Sequence, residues 1–353
     1  MNAEPRLLPW NRKFLGSKRV LREWIAERII ERVGTPTIFL DGFCGTGSVG
    51  VAMALHGARR VVAVDSLLSN CVVLRGFVEM SRLREDARMA RHMSELNELA
   101  PVHGYITESY GDTYFTRENC SRMDAIRERI QSMRADGEIS DSEHAILLAA
   151  FLLAADRVAN TIGQYDAFLK HIDKRSMVGG RHLVDERVRS RFVLQPLERL
   201  GDISLQVLHG EMISLAPDIS ADVVYYDPPY NGRQYCDNYH VLENLALWQK
   251  PPLFGKTRKF DRRGMRSPFS SMTQAQDAVQ RLISATPARE IFFSYSSEGI
   301  LSPRKIRNVL AQRGDVEQIE TEYPVFGNGA GVSVRRNVTE MLFHLRARRG
   351  THG

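Results

Sequence analysis

The run Asp222-Val223-Val224-Tyr225-Tyr226-Asp227-Pro228-Pro229-Tyr230 constrains this chain more than any other stretch. Its first half is short, apolar, β-branched and aromatic, the make-up of a buried strand. Proline has no N–H to give a sheet ladder, so the strand must stop at Pro228. That leaves a carboxylate, two rigid residues and an aromatic ring at the strand's carboxyl end, the edge where open α/β sheets bind ligands. Asp227 and the Pro228 carbonyl are both acceptors, and Pro228 adds no competing donor. Two acceptors facing one amino group would hold it and concentrate its lone pair away from the ring that bears it. Tyr230 offers a flat face for a planar base. Taken alone, the four residues also fit an ordinary strand-ending turn with an acidic cap.

Upstream, Thr37-Ile38-Phe39-Leu40-Asp41-Gly42-Phe43-Cys44-Gly45-Thr46-Gly47 reads as a strand entering a glycine-rich turn, followed by a helix carrying Val49, Val51, Ala52 and Leu55. Glycine permits a tight strand-to-helix turn and close approach of a ligand to the backbone. A second strand, Arg60–Asp65, ends on an acid 18 residues beyond Gly47, near the spacing at which an acid meets a ribose hydroxyl in a βαβ unit. The pattern points to a cofactor containing a nucleoside. Earlier still, Phe14-Leu15-Gly16-Ser17-Lys18 precedes a helical pattern through Leu21, Trp24, Ile25 and Ile29. A Gly-Ser turn at a helix start presents N–H groups to an anion, with Lys18 beside it, or is simply a helix cap.

From about 81 to 200 the pattern changes to long charged helices such as Arg117–Arg134 and an apolar run at Ala145–Ala155, which predicts a mostly helical insertion. The expected division is a discontinuous catalytic domain, 1–80 with 201–353, around an inserted subdomain at 81–200. Asn160–Lys170 interleaves polar and aromatic residues and either lines a groove or packs. Lys174, Arg175, Gly179, Gly180 and Arg181 suit a loop facing phosphates or plain solvent. The core resumes at Ser204–Leu208, and Glu211 just beyond it would meet a cofactor adenine or cap a short helix. Lys256, Arg258, Lys259, Arg262, Arg263 and Arg266 stand against the single acid Asp261, six positive charges in eleven residues, a credible segment for binding a nucleic-acid backbone. The chain closes with a strand Glu290–Tyr295, a helix Ser302–Arg313 and an antiparallel pair, Val316–Tyr323 and Val338–Leu345. Arg335 and Arg336 sit where the intervening glycine-rich loop meets the sheet and join the nucleic-acid-binding set.

A formal charge of +6 favours an anionic partner without proving one. Cys44, Cys71, Cys120 and Cys236 form no CxxC pair, so neither a zinc site nor a disulfide framework is expected, and a reducing cytoplasm fits. No apolar leader or 18-residue uncharged apolar run is seen, so no membrane partner is expected.

Phe14–Lys18, then Asp41-x-Phe43-x-Gly45-x-Gly47, Asp65 and Asp227-Pro228-Pro229-Tyr230, in that order, resemble the DNA adenine-N6 methyltransferases, and more narrowly the D12 (alpha) class. The resemblance spans nearly the whole chain and implies a Rossmann-like α/β methyltransferase fold with a mixed central sheet. It implies S-adenosyl-L-methionine as cofactor, duplex DNA as partner, and no metal; it leaves open a cognate restriction endonuclease. Phe14 and Lys18 would belong to the first cofactor motif. Asp41, Phe43, Gly45 and Gly47 would line the methionine side, Asp65 would bind the ribose, and Glu211 would meet the adenine, where an Asp is more usual. Asp227, Pro228, Pro229 and Tyr230 would hold the flipped target adenine. Transfer to RNA adenine, transfer to cytosine N4 and a non-catalytic binding module are the competing readings.

Overall fold

A computed structural model describes residues 7–10, 12, 14–84, 86–169, 177–178, 181–182, 186–329 and 332–348, of which 177–178, 181–182, 324–329 and 332–336 are described by their backbone alone. Lys174, Arg175, Gly179 and Gly180, and the side chains of Arg181, Arg335 and Arg336, lie outside the described residues.

Seven strands form one mixed sheet in the order β5-β2-β1-β6-β7-β9-β8. These are β1 (Ile38–Asp41), β2 (Arg60–Asp65), β5 (Leu205–His209), β6 (Val223–Tyr226), β7 (Glu290–Ser296), β8 (Gly314–Gly329) and β9 (Val332–Ala347); β3 (Met177–Val178) and β4 (Arg181–His182) make a separate small pair. The first five are mutually parallel, while β9 runs antiparallel to β7 and β8 to β9. The expected α/β class with a mixed sheet is therefore what is found.

Alternation along the strands explains why both faces are covered. Phe39, Val61, Ala63, Val223, Tyr225 and Phe292 enter one buried cluster, whereas Leu40, Val62, Val64, Val224, Tyr226 and Phe293 enter the other. Helices α1 (Arg22–Val33), α2 (Ser48–Leu55) and α3 (Leu68–Arg82) cover the first face, and α11 (Ala275–Ala285) and α12 (Pro303–Ala311) the second. Between the halves come α4 (Asp86–Asn97), α5 (Tyr105–Tyr110), α6 (Arg117–Ala135) and α7 (Asp141–Val158). Ser140 and Glu143 form a capping box at the start of α7. This helix packs so closely on α3 that a Cβ added to Gly76 would sit 2.3 Å from the Ala149 methyl. The apolar run at Ala145–Ala155 is thus buried against the sheet's own helices, in one cluster with them.

Two sequence expectations change. The first helix begins at Arg22, so the Gly16-Ser17 turn is not its cap. The terminal hairpin is longer than its apolar core suggests, because ladder pairing continues from Gly314↔Ala347 to Gly329↔Val332. Of β9, β7 pairs only with Glu340–Arg346. The eight residues 332–339 run beyond it, roughly 26 Å of two-stranded ribbon at 3.3 Å per residue. Since Glu340 pairs with Ser296 at the carboxyl end of β7, the ribbon projects past the edge that carries Asp41, Asp65 and Asp227. Among the described residues no helix is long and apolar enough to cross a membrane.

Candidate active site

The carboxyl ends of β1, β2 and β6 open on a cavity of about 740 Å³. Phe14, Lys18, Asp41, Phe43, Gly45, Asp65, Asp227 and Pro229 line it, so most of the expected catalytic and cofactor-binding residues share one space, apart from the basic residues expected to meet nucleic acid. A second cavity of about 940 Å³ continues from it past Phe43 and Pro229, and Glu211 lies there with His209 and Met212.

The glycine turn is built as its composition demands. Gly45 and Gly47 take φ of +51° and +74°, a region open to glycine. A Cβ on Gly45 would lie 3.1 Å from the Phe14 ring, and one on Gly47 2.5 Å from Leu74. Gly47 therefore turns the chain into α2 and packs on α3, and does not line the cavity. Asp65 braces the turn: its Oδ2 accepts from Gly45 N–H at 2.8 Å and its Oδ1 from Leu67 N–H at 2.8 Å. Asp41 accepts from Gly50 N–H at 2.9 Å inside α2. Burial pushes the Asp41 carboxyl up to about 7, against the Gly50 hydrogen bond and with help from the neighbouring Asp227 and Asp65 carboxylates.

Lys18 does not face open solvent. Its ammonium, 6% exposed, lies 3.1 Å from Asp227 Oδ1 and 3.1 Å from Glu340 Oε1. Burial alone would lower the Lys18 pKa, but the Asp227 and Glu340 carboxylates outweigh it and hold it well above the ordinary lysine value. Asp227 is pushed up by burial, opposed by Lys18 and reinforced by Glu340. The cation beside the Gly16-Ser17 turn is thus already paired with two carboxylates. Asp227 Oδ2 and the Pro228 carbonyl have no hydrogen-bond donor among the described residues. Tyr230 sits beside them, 5.5 Å from the Lys18 ammonium and edge-on to Tyr295 at 6.2 Å.

The turn at Phe14–Lys18 is held by residues that the sequence did not mark. Tyr235, on the short helix α9 (Tyr235–Asn238), donates to the Leu15 carbonyl at 3.1 Å, and Tyr239 accepts from the Leu15 amide at 2.7 Å. Phe14 stacks on Tyr239 with centroids 4.6 Å apart. Glu243, fully buried on α10 (His240–Leu247), accepts from the Leu68 and Ser69 amides at 2.8 and 2.9 Å and so caps α3. Glu211 caps its own short helix, α8 (Met212–Leu215), through Oε2 to Ile213 N–H at 2.7 Å. An acid two places after an apolar strand signals equally well a cap or a ligand, so only the contacts separate the two.

The basic segment is folded rather than free. Asp237 draws in Arg262 at 2.6 Å, Lys259 at 3.6 Å and Arg266 at 3.8 Å, and Arg263 pairs with Asp261 at 2.6 Å. The Tyr114 hydroxyl shares its one proton between the carbonyls of Tyr165 at 2.6 Å and Thr257 at 3.0 Å, joining this segment to the loop that follows α7. Lys256 and Arg258 are exposed, and no carboxylate among the described residues pairs with them. All four cysteines are free and buried.

Residues 14–309 match the family model described as D12 class N6 adenine-specific DNA methyltransferase. The chain is 30% identical to the type II methyltransferase M.NlaIII of Neisseria lactamica, over 89% of this chain and 92% of that protein. It is similarly 30% identical to the type II methyltransferase M.CviAII of Paramecium bursaria Chlorella virus 1, over 94% and 97%. To the type II methyltransferase M.FokI of Planomicrobium okeanokoites it is 31% identical over 86% of this chain but 47% of that protein, about half the relative's length.

Proposed function

This chain belongs to the D12 class of N6 adenine-specific DNA methyltransferases, and from that premise we propose which of its residues carry the reaction. The observation that supports the assignment best is the open pair of acceptors, Asp227 Oδ2 and the Pro228 carbonyl, beside Tyr230 and next to the cavity that holds the glycine turn.

The donor set fits S-adenosyl-L-methionine. Asp41, Asp65 and Asp227 line one cavity with a single ammonium, Lys18, and such an excess of carboxylate suits a ligand bearing a sulfonium and an ammonium. When bound, the cofactor supplies a methyl group already activated by the positive sulfur. Asp41, Phe43 and Gly45 would hold its methionine side, and Asp65 its ribose. The second cavity, with Glu211, would take its adenine.

The target amino group lies inside a duplex until the base is turned out. Asp227 Oδ2 and the Pro228 carbonyl then accept its two N–H bonds, and Tyr230 supports the ring. Holding both hydrogens in this way aims the nitrogen lone pair and fixes its approach, the kind of positioning that supplies much of a rate enhancement. The proton that N6 must shed is received at Asp227 Oδ2, whose raised pKa suits a group that takes and returns a proton near neutrality.

Duplex DNA is the proposed partner, contacted by Lys256, Arg258 and Arg263 on the basic segment. Arg335 and Arg336 fall on the ribbon beyond the catalytic edge, and a two-stranded ribbon has the width of a major groove. M.NlaIII and M.FokI are type II methyltransferases, which supports a place in restriction-modification with a matching endonuclease. The helical segment 81–200 is proposed as an inserted subdomain contributing to target recognition.

Methyl incorporation from labelled cofactor into unmethylated duplex DNA, followed by nucleoside analysis, tests the reading. Labelled N6-methyladenine at a defined sequence is expected. Label on cytosine, or on RNA in preference to DNA, would overturn it.

A further inference from the structure

We propose that Glu340, braced by Ser294, is a positioning residue for methyl transfer: it holds the Lys18 ammonium on Asp227 Oδ1 and so keeps Oδ2 open for the target amino group. The inference rests on the role given above to Asp227.

Glu340 lies on β9, beyond the matched residues 14–309. It is 0% exposed at the catalytic edge, opposite Ser296. Its Oε1 receives the Lys18 ammonium at 3.1 Å and the Ser294 hydroxyl at 2.5 Å, while Oε2 is buried without a donor among the described residues. Taking a carboxylate out of water is costly, and a pair serving stability alone is commonly replaced by apolar residues without loss. A carboxylate buried here, with one oxygen unsatisfied, is better explained by what it does to its neighbour.

Lysine carries three donors on a flexible stem. Tethered between two carboxylates, Lys18 takes one oxygen of Asp227. Released from Glu340, it is free to reach both oxygens and to compete with the substrate for Oδ2. The Glu340 charge also divides the pull of the ammonium, leaving Asp227 a stronger acceptor and base. The other groups facing Asp227 are Asp41 and the phenols of Tyr225, Tyr230, Tyr235 and Tyr323. Those phenols and Lys18 are all raised above their ordinary values and keep their protons at neutral pH.

The test is Glu340→Gln, which keeps the size and removes the charge, assayed by single-turnover transfer to duplex DNA between about pH 5.5 and 8.5. The rate constant at the plateau is expected to fall about tenfold or more. The acid limb moves to lower pH, because Asp227 loses a neighbouring anion that raised its pKa. Cofactor affinity stays close to wild type, and Glu340→Asp restores part of the rate. A folded Glu340→Gln with unchanged rate and limb overturns the proposal, as does a lower rate with an unmoved limb and no recovery by Asp. If the Gln variant does not fold, Ser294→Ala is expected to move rate and limb in the same direction by less, and no effect there counts against the proposal. Asp227→Asn separates the two readings. Its near-normal turnover removes the role of Asp227 itself, whereas its inactivity beside an unaltered Glu340→Gln removes only this inference.

Discussion

The backbone amide of Leu15 donates to the hydroxyl of Tyr239 at 2.7 Å, and the Phe14 ring lies stacked on the same tyrosine. One wall of the candidate cofactor cavity is thus hung on a residue that follows the Asp227–Tyr230 motif, and the two halves of the site are assembled together. Tyr239→Phe keeps the stack and removes the acceptor. The expected result is a loss of about 1 kcal/mol in denaturant unfolding and weaker cofactor binding by titration, with the rate at saturation little changed.

Asp41 gives a pH dependence of known sign. Its folded-state pKa, about 7, lies above the ordinary carboxylate value. The stability it contributes is therefore fully present below about pH 4 and is lost as pH rises through about 7. Asp41→Asn escapes that loss while keeping an oxygen for the Gly50 amide. Relative to wild type, the unliganded variant should match closely at the acid end of this window, gain stability between about pH 4 and 7 and level off above that, with weaker cofactor binding throughout. Urea unfolding across the pH range reads the difference.

Gly47 and Gly137 form a natural comparison. Their φ values are +74° and +72°, but an added Cβ meets Leu74 at 2.5 Å in the first and nothing within 4 Å in the second. Gly137→Ala should cost about 1 kcal/mol from backbone strain. Gly47→Ala should cost roughly 1–3 kcal/mol more from overpacking and should loosen the turn that Asp65 braces. Equal losses in thermal unfolding would mean that the contact with α3 carries no weight.

The basic segment separates into surface and scaffold. Lys256 and Arg258 are exposed, whereas Arg262 is half-buried on Asp237 and also donates to the Phe260 carbonyl. Lys256→Gln with Arg258→Gln should flatten the salt dependence of duplex binding by roughly 2 in log–log slope if each meets a phosphate, with stability unchanged. Arg262→Gln should instead lower the melting temperature, because Asp237 loses its nearest partner.

Much of the fold was legible because its determinants are local. Apolar runs cut off by Asp-Gly or Asp-Pro mark β1 and β6, and the residues at their ends converge because parallel strands bring their carboxyl ends to one edge. What could not be read depends on pairs distant in sequence. Glu340 is a single acid in an ordinary strand pattern until β9 pairs with β7 and sets it beside Lys18 and Ser294. The counter-ion of Arg262 cannot be read from the basic run, because Asp237 stands 25 positions earlier. The apolar pattern marks only part of the ribbon, because backbone pairing, which needs no particular side chains, carries β8 and β9 on through the glycines.

The most direct measurement is single-turnover methyl transfer to duplex DNA by Asp227→Ala, with cofactor affinity and unfolding determined on the same preparation. A folded variant that binds cofactor but forms no N6-methyladenine is the predicted result. Turnover near that of wild type would contradict the assignment of Asp227 and of the acceptor pair it makes with Pro228.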